Sequence, residues 1–167
     1  MTGVQTCALP IFTGELHAES VVYTLPRRRI TAEELAWAER ILAESGGAVA
    51  AMTDGVGDDY RALILKRLHG LEESPLTVEQ TCIAAGDWSL IGFPGELFTE
   101  IGMKLKLASP FRRTMVIGLA NGQIGHVPTK RAVGEGGYAV TTREAGDDAE
   151  SIVTARSLEL LQRLYYR

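Results

Sequence analysis

The chain has 167 residues, 46% of them hydrophobic and 23% charged, with a formal net charge of -4. This size fits one domain with a substantial core, and a composition so close to the globular average excludes a disordered tail, a collagen-like chain and a disulfide scaffold. The acidic balance argues against a nucleic-acid-binding module, whose footprint is a basic face, and no apolar run approaches the ~20 residues of a transmembrane helix.

The first residues, 1–11, read MTGVQTCALPI, which resembles the in-frame translation of a sequencing-library adapter. A short natural N-terminal segment is the alternative, but the stretch lacks the basic n-region and the apolar core of an export signal. We therefore interpret residues 1–11 as a non-native artefact and residues 12–167 as the native, N-terminally truncated part. Cys82 is then the one native cysteine, and its apolar surroundings favour a small buried hydrophobe over a nucleophile.

The first part of the native sequence predicts a strand and two helices. Residues 21–25 are apolar and partly β-branched, which is typical of a strand. Thr31 and Glu34 have the spacing of a capping box, so a helix begins there and ends at Gly46. A second helix is expected from about residue 58 to residue 69, where a glycine follows.

From residue 76 the hydrophobic period changes to two, which indicates a β-hairpin. Apolar residues alternate over 76–84, interrupted by Gln80, and a turn at Gly86 joins them to a strand over 88–93. Residues 94–96 then lead into a helix. Its apolar face carries Phe98, Ile101 and Leu105.

Residues 114–120 are nearly all apolar, which is the profile of a central strand covered on both faces. Asn121 and Gly122 turn the chain into a glycine-rich loop, and a final helix runs over about 147–164. Strands that alternate with helices predict an α/β domain, with α+β possible. Helices pack on a mixed sheet because the hairpin makes one strand pair antiparallel.

Two polar residues beside these apolar elements are candidates for chemistry. Glu96 lies where a strand turns into a helix, a place that favours ligands, although a carboxylate there also complements the helix dipole for ~0.3–1 kcal/mol. His126 follows an apolar strand; imidazole is a good metal ligand and base, but a loop histidine is more often simply solvated. The sequence has no GxSxG elbow, phosphate loop, HExxH or CxxC motif.

Around these residues the sequence resembles the neutral/alkaline non-lysosomal ceramidase family, especially its smaller bacterial relatives. The matching segments are FPGELFTEIG at 93–102, SPF at 109–111, ANGQIGHVPT at 120–129 and EGGY at 135–138. The likeness extends more loosely from about residue 21 to the C-terminus. The ordered series of segments is more specific than any one of them.

This resemblance implies a zinc-dependent amidase that cleaves the N-acyl bond of ceramide-like lipid amides. The family's catalytic serine and two of its zinc-binding histidines lie upstream, so the chain would be the C-terminal portion of a larger catalytic domain whose N-terminal part is missing. By position, the family's zinc-binding glutamate is Glu96, and its zinc-binding tyrosine is replaced by His126. A second family tyrosine, near the reacting carbonyl, matches Tyr138, which can stabilise an oxyanion or simply be a half-buried strand aromatic.

The alternatives follow from what the chain lacks. A catalytic zinc takes three protein ligands and keeps an open position, so two candidates predict an inactive fragment. A non-catalytic accessory or binding domain that keeps the fold without the site is the alternative, and His126 at the tyrosine position favours it. A third possibility is a hydrolase of the same architecture that acts on other amides or esters. Loss of neighbouring strands also predicts self-association.

Overall fold

Strands and helices alternate along the chain in the structure, a computed structural model that describes residues 15–47, 49 and 57–167. The strands are β1 (Leu16–Leu25), β2 (Leu76–Ala85), β3 (Trp88–Gly92), β4 (Glu96–Leu97), β5 (Arg113–Ile117) and β6 (His126–Val127). The helices are α1 (Ala32–Glu44), α2 (Asp58–His69), α3 (Thr99–Ala108), α4 (Lys130–Glu135), α5 (Tyr138–Thr141) and α6 (Ala149–Tyr165). Residues 1–11, which we interpret as a non-native artefact, lie outside the described residues.

Four strands form the larger sheet, in the order β1-β2-β3-β5. The β1–β2 and β2–β3 pairs are antiparallel and the β3–β5 pair is parallel, so the predicted α/β fold with a mixed sheet is confirmed. The predicted hairpin is β2–β3, and its turn residue Gly86 has a φ of 54°, which glycine adopts without a Cβ clash. A second, two-stranded sheet pairs β4 with β6 in parallel.

Helix α6 packs against one face of the larger sheet, where alternate residues of β2 are buried. The buried Gln80 is satisfied: its amide donates to the Gly92 carbonyl at 3.1 Å and to the Ser157 hydroxyl at 3.0 Å. Its carbonyl accepts from the Tyr23 hydroxyl at 2.8 Å. Cys82 is fully buried, and burial raises the pKa of its thiol to about 12. This thiol is therefore an inert core group, as predicted.

Helices α1 and α2 form a hairpin with its own small core. The predicted capping box is present, because the Glu34 amide donates to the Thr31 hydroxyl at 3.1 Å and the Glu34 carboxylate accepts from the Thr31 amide at 3.0 Å. The bounds of α2 match the predicted ones. The buried residues between the two helices are Ile30, Ala38, Ala62, Leu65 and Leu68. None of the helices in the described ranges is long and apolar enough to cross a membrane.

The prediction of a central strand over residues 114–120 was wrong. β5 is shorter, and within the described residues it is the terminal strand of its sheet. Met115 and Ile117 are 46% and 42% exposed, so one face of the strand is open. An apolar run indicates that a strand is suited to burial on both faces, but it does not say whether this chain supplies both covering layers.

The glycine-rich stretch after Gly122 is also more ordered than a loop, because it contains β6, α4 and α5. The Thr129 hydroxyl caps α4 by accepting from the Ala132 amide at 3.1 Å. Gly136 and Gly137 then adopt φ angles of 80° and 101° and turn the chain sharply into α5. Local caps and left-handed glycines thus build short elements that carry no hydrophobic period.

Candidate functional site

The backbone at Gly95 brings Glu96 to its position. A Cβ at Gly95 would lie 2.7 Å from the Gly125 carbonyl oxygen and 2.9 Å from the buried Phe93 ring, so the close packing requires glycine. The Glu96 amide donates to that same Gly125 carbonyl at 3.0 Å. Glu96 consequently begins β4, and α3 starts only at Thr99. The interpretation of Glu96 as a first-turn carboxylate that complements a helix dipole was therefore wrong.

The loop between β5 and β6 binds residues 93–95 through backbone hydrogen bonds. The amides of Leu119, Ala120 and Ile124 donate to carbonyls of residues 93–95 at 3.1, 2.9 and 2.7 Å. Leu119 and Asn121 have φ angles of 55° and 65°, a left-handed conformation that costs an L-residue ~1–2 kcal/mol. Such strain persists only where surrounding contacts fix the backbone. The loop is thereby held so that β6 lies directly beside β4.

Glu96 and His126 stand opposite each other in the β4–β6 pair. The Glu96 Oε2 atom lies 3.4 Å from the His126 Nδ1 atom, and the two side chains are 46% and 23% exposed. This distance is long for an N–H···O hydrogen bond, which is usually 2.7–3.2 Å. It is close to the ~3.3 Å that separates two ligands of a tetrahedral zinc ion with bonds of ~2.0–2.2 Å. The two atoms therefore have a spacing that suits a shared metal ion.

The distance alone does not distinguish this pair. His69 lies 3.3 Å from Glu72, and His17 lies 3.3 Å from Glu15. Those two imidazoles are 47% and 37% exposed, against 23% for His126. In each of the two pairs the carboxylate is at most three residues from the histidine in the sequence, so the contact is local. The Glu96–His126 contact instead joins two separate strands, so it depends on the tertiary fold.

Tyr138 completes the group of predicted residues. Its ring meets the His126 ring edge-on, with centroids 5.8 Å apart and an interplanar angle of 77°. Tyr138 is 53% exposed and begins α5, so the alternative of a half-buried strand aromatic was wrong. The residues that the resemblance selected thus lie side by side, and a phenol next to a carboxylate–imidazole pair can donate a hydrogen bond to a bound carbonyl oxygen.

Glu96 and His126 are donors of the kinds that zinc binds, but two protein ligands are fewer than a catalytic zinc site needs. A carboxylate oxygen and an imidazole nitrogen are both ligands that zinc prefers, and a catalytic site needs three protein ligands. Across residues 15–47, 49 and 57–167, no three His, Cys, Asp or Glu side chains group closely enough to hold a metal ion. Glu96 and His126 are therefore two donors of suitable type, one fewer than a catalytic zinc ion takes from protein.

A cleft that the sequence did not predict opens beside Glu96, between β4, α3 and β5. It encloses about 250 Å³, and its wall is largely apolar. The apolar side chains are Leu97, Phe98, Met103 and Val116. The sequence held one indication of this cleft. The apolar Met103 lies on another face of α3 from the buried Ile101, and its side chain is 55% exposed.

A larger cavity of about 450 Å³ lies apart from these residues, where the segment before α1 meets the start of α6. Its two buried guanidinium groups are bound through their terminal nitrogens, whereas the buried Arg143 Nε atom has no hydrogen-bond partner. Arg28 donates to the Thr141 carbonyl at 2.6 Å and pairs with Glu34, while Arg143 binds the Val140 carbonyl and Asp147, each at 2.6 Å. This cavity is therefore a junction of ion pairs that joins the helical hairpin to the sheet.

No protein-family model and no curated protein sequence matches the chain. Its fold is similar to the crystal structure of neutral ceramidase from Pseudomonas aeruginosa, with a TM-score of 0.57 and 13% identity over 92% of this chain and 29% of that chain. It is equally similar to a structure of ceramidase complexed with C2, with a TM-score of 0.57 and 14% identity over 93% of this chain and 31% of that one. The chain has a ceramidase-like fold, and it spans about 30% of the length of these structures.

Proposed function

We propose that residues 12–167 are the C-terminal portion of the catalytic domain of a zinc-dependent amidohydrolase that cleaves the N-acyl bond of ceramide-like lipid amides. The observation that carries the proposal is the approach of Glu96 Oε2 to His126 Nδ1, 3.4 Å apart on paired strands, within a ceramidase-like fold. The resemblance of the sequence to neutral ceramidases selects these same two positions. Residues 1–11 are non-native in this proposal.

In the complete protein, Glu96 and His126 supply two of the protein ligands of zinc. The remaining ligands and the catalytic serine come from polypeptide upstream of this chain. Bound zinc would polarise the amide carbonyl and make the attacking hydroxyl more acidic. The chain's own contribution is to fix the two ligands on paired strands, because Gly95 and the β5–β6 loop hold those strands together.

Tyr138 acts on the substrate in this proposal. Its hydroxyl donates a hydrogen bond to the carbonyl oxygen as that oxygen gains negative charge, which stabilises the transition state more than the ground state. Two observations support this role: the ring contacts His126 edge-on, and more than half of the side chain is exposed. The exposed position leaves the phenol free to meet a substrate.

His126 also changes the charge of the site relative to the family pattern. A neutral imidazole in place of a phenolate gives the ligand set one negative charge fewer, which weakens the attraction for a divalent cation. The same change leaves the cation more electron-poor and so a stronger Lewis acid. We therefore propose a site that binds zinc less tightly than the family pattern but retains hydrolytic chemistry.

A non-catalytic accessory domain is the second candidate. It is favoured by the replacement of the family tyrosine by His126 and by the presence of only two grouped donors in the described residues. The two candidates differ in what the upstream polypeptide contains. A pair of histidines and a serine there support the enzyme, and their absence supports the accessory domain.

The test is an amidase assay on the complete protein encoded by the full reading frame, with a fluorescent N-acyl sphingosine as substrate. We expect hydrolysis that is lost in Glu96→Gln and retained in Glu100→Gln, a carboxylate of α3 that forms no part of the site. Metal analysis of the same samples should show stoichiometric zinc in all but Glu96→Gln. Retention of both zinc and activity in Glu96→Gln would contradict the assignment of Glu96 as a zinc ligand.

A further inference from the structure

One face of the larger sheet carries an apolar patch, beside the polar Ser20, Glu79 and Thr81, that is largely exposed in the described part of the chain. The register places Ala18, Ile83, Leu90 and Met115 in one row across all four strands, on the side opposite α6. The open sheet face, as we call it, consists of this row together with Leu16, Val22 and Ile117. Ile83 is 39% exposed, Met115 46% and Val22 67%. Apolar residues thus line both sides of the sheet, although α6 covers only one.

The same face ends at an open strand edge. Within the described residues, β5 pairs in its sheet with β3 alone, and the Arg113 amide and the Ile117 carbonyl are used on that side. Because backbone groups alternate in direction along a strand, the N–H and C=O groups of Thr114 and Val116 are directed away from β3. Natural proteins do not leave a flat apolar edge of this kind uncovered, since it pairs readily with other strands.

We propose that the open sheet face and the β5 edge are the surface through which further polypeptide of the same larger protein docks, with one of its strands paired to β5. A strand satisfies the edge N–H and C=O groups, which a lipid surface cannot do. The solved structures of this fold contain more than three times as much polypeptide as this chain matches, so the shared fold accommodates such a layer. This proposal rests on the proposed function in one respect, that the chain is part of a larger protein, and it does not depend on the metal site.

The docking strand has a defined chemistry. Its apolar side chains on the open side lie next to Met115 and Ile117 of β5. The end of the strand near Arg113 meets the positively charged Arg112 and Arg113. The Arg113 guanidinium lies 4.6 Å from the centre of the Trp88 ring, and Arg112 reaches Asp87 only at 3.9 Å. An acidic residue on the docking strand at this end therefore complements the surface.

The test compares this chain with the complete protein by sedimentation velocity and amide hydrogen exchange. Alone, the described part of the chain leaves this surface exposed to second copies, so we expect self-association that rises with concentration. Met115→Lys combined with Ile117→Lys, both outward-facing, should give a monomer. The matched control is Leu63→Lys on α2, since Leu63 is 44% exposed, and it should associate like the parent.

In the complete protein we expect a monomer in which the Thr114 and Val116 amides are protected from exchange, whereas in the monomeric double variant of the short chain they exchange freely. The Val78 amide in β2 should be protected in both, which reports an intact fold. A monomeric parent chain would overturn the proposal. Self-association of the complete protein that the double variant abolishes would also overturn it, because a second copy would then be the occupant. Binding of the complete protein to phosphatidylglycerol vesicles that the same variant abolishes would do so too, because the occupant would then be a lipid surface.

Discussion

Glu96 and His126 face each other across a parallel pair of two-residue strands, although α3 and β5 lie between them in the chain. Their side-chain contact of 3.4 Å is held by backbone bonds that join the β5–β6 loop to residues 93–96. The spacing of the two donor atoms therefore depends on a small number of backbone contacts.

Gly95 is the most sensitive of these positions. Gly95→Ala should lower the free energy of unfolding by ~1–3 kcal/mol, the usual cost of overpacking, because the new methyl group overlaps the Gly125 carbonyl oxygen at 2.7 Å. Urea denaturation measures this change. Gly102→Ala is the control: beyond its chain neighbours and the backbone of its own helix, no atom lies within 4 Å of the added Cβ, and a helical Gly→Ala change should stabilise by ~0.5–1 kcal/mol. Equal effects at the two sites would contradict the described packing.

Leu119 tests the strain in the β5–β6 loop. Leu119→Gly relieves a left-handed conformation worth ~1–2 kcal/mol, which should offset the lost side-chain contacts and the added chain entropy of glycine. We expect the free energy of unfolding to stay within about 0.5 kcal/mol of the parent value. Leu107→Gly, at an 83% exposed position in α3, should instead cost about 1 kcal/mol. A comparable loss at Leu119 would show that its backbone carries no strain.

Glu150 should make stability depend on pH. Its carboxylate accepts hydrogen bonds from the Lys104 ammonium and from the Lys130 amide, and these contacts, Lys104 first, hold the pKa of Glu150 below its ordinary value. A carboxyl with a lowered folded-state pKa stabilises the fold above its unfolded-state pKa, and this contribution is lost as the pH falls through the folded-state pKa.

Glu150→Gln should therefore destabilise the chain near neutral pH, with a difference from the parent that disappears in acid. Urea denaturation at a series of pH values measures it. Glu159→Gln serves as the control on the same helix, because Glu159 is 57% exposed and its partner among the described residues is the exposed Arg156. A Glu150→Gln penalty that is constant from neutral to acid pH would be inconsistent with the lowered pKa.

Local signals allowed most of the helices and the hairpin to be predicted from the sequence. The Thr31 capping box and the glycine after His69 act within one turn of helix, and the two-residue period of β2 reflects burial against α6. β4 and β6 carry no such signal, because two-residue strands have no period and form only where the loop clasps residues 93–96. The open face of β5 was likewise not predictable, since hydrophobicity reports suitability for burial and not which polypeptide provides it.

The candidate site depended on the family resemblance more than on spacing. Residue patterns alone left Glu96 as a helix-dipole carboxylate and His126 as a solvated loop residue, and only the resemblance to ceramidase motifs joined them to Tyr138. Their proximity is a tertiary property of the β4–β6 pair and of the left-handed glycines before α5. Their role in binding zinc stays a prediction.

That role can be measured directly by calorimetric zinc titration of the complete protein, with Glu96→Gln, His126→Ala and the combined variant. If both side chains bind one ion, each single change should weaken zinc binding at least ~10-fold, and the combined variant should be little weaker than either single one, because ligands of one site are not additive. His69→Ala, which removes the comparable His69–Glu72 pair, should leave this binding unchanged. Zinc binding that survives both single changes, or losses that simply add, would contradict a shared metal site.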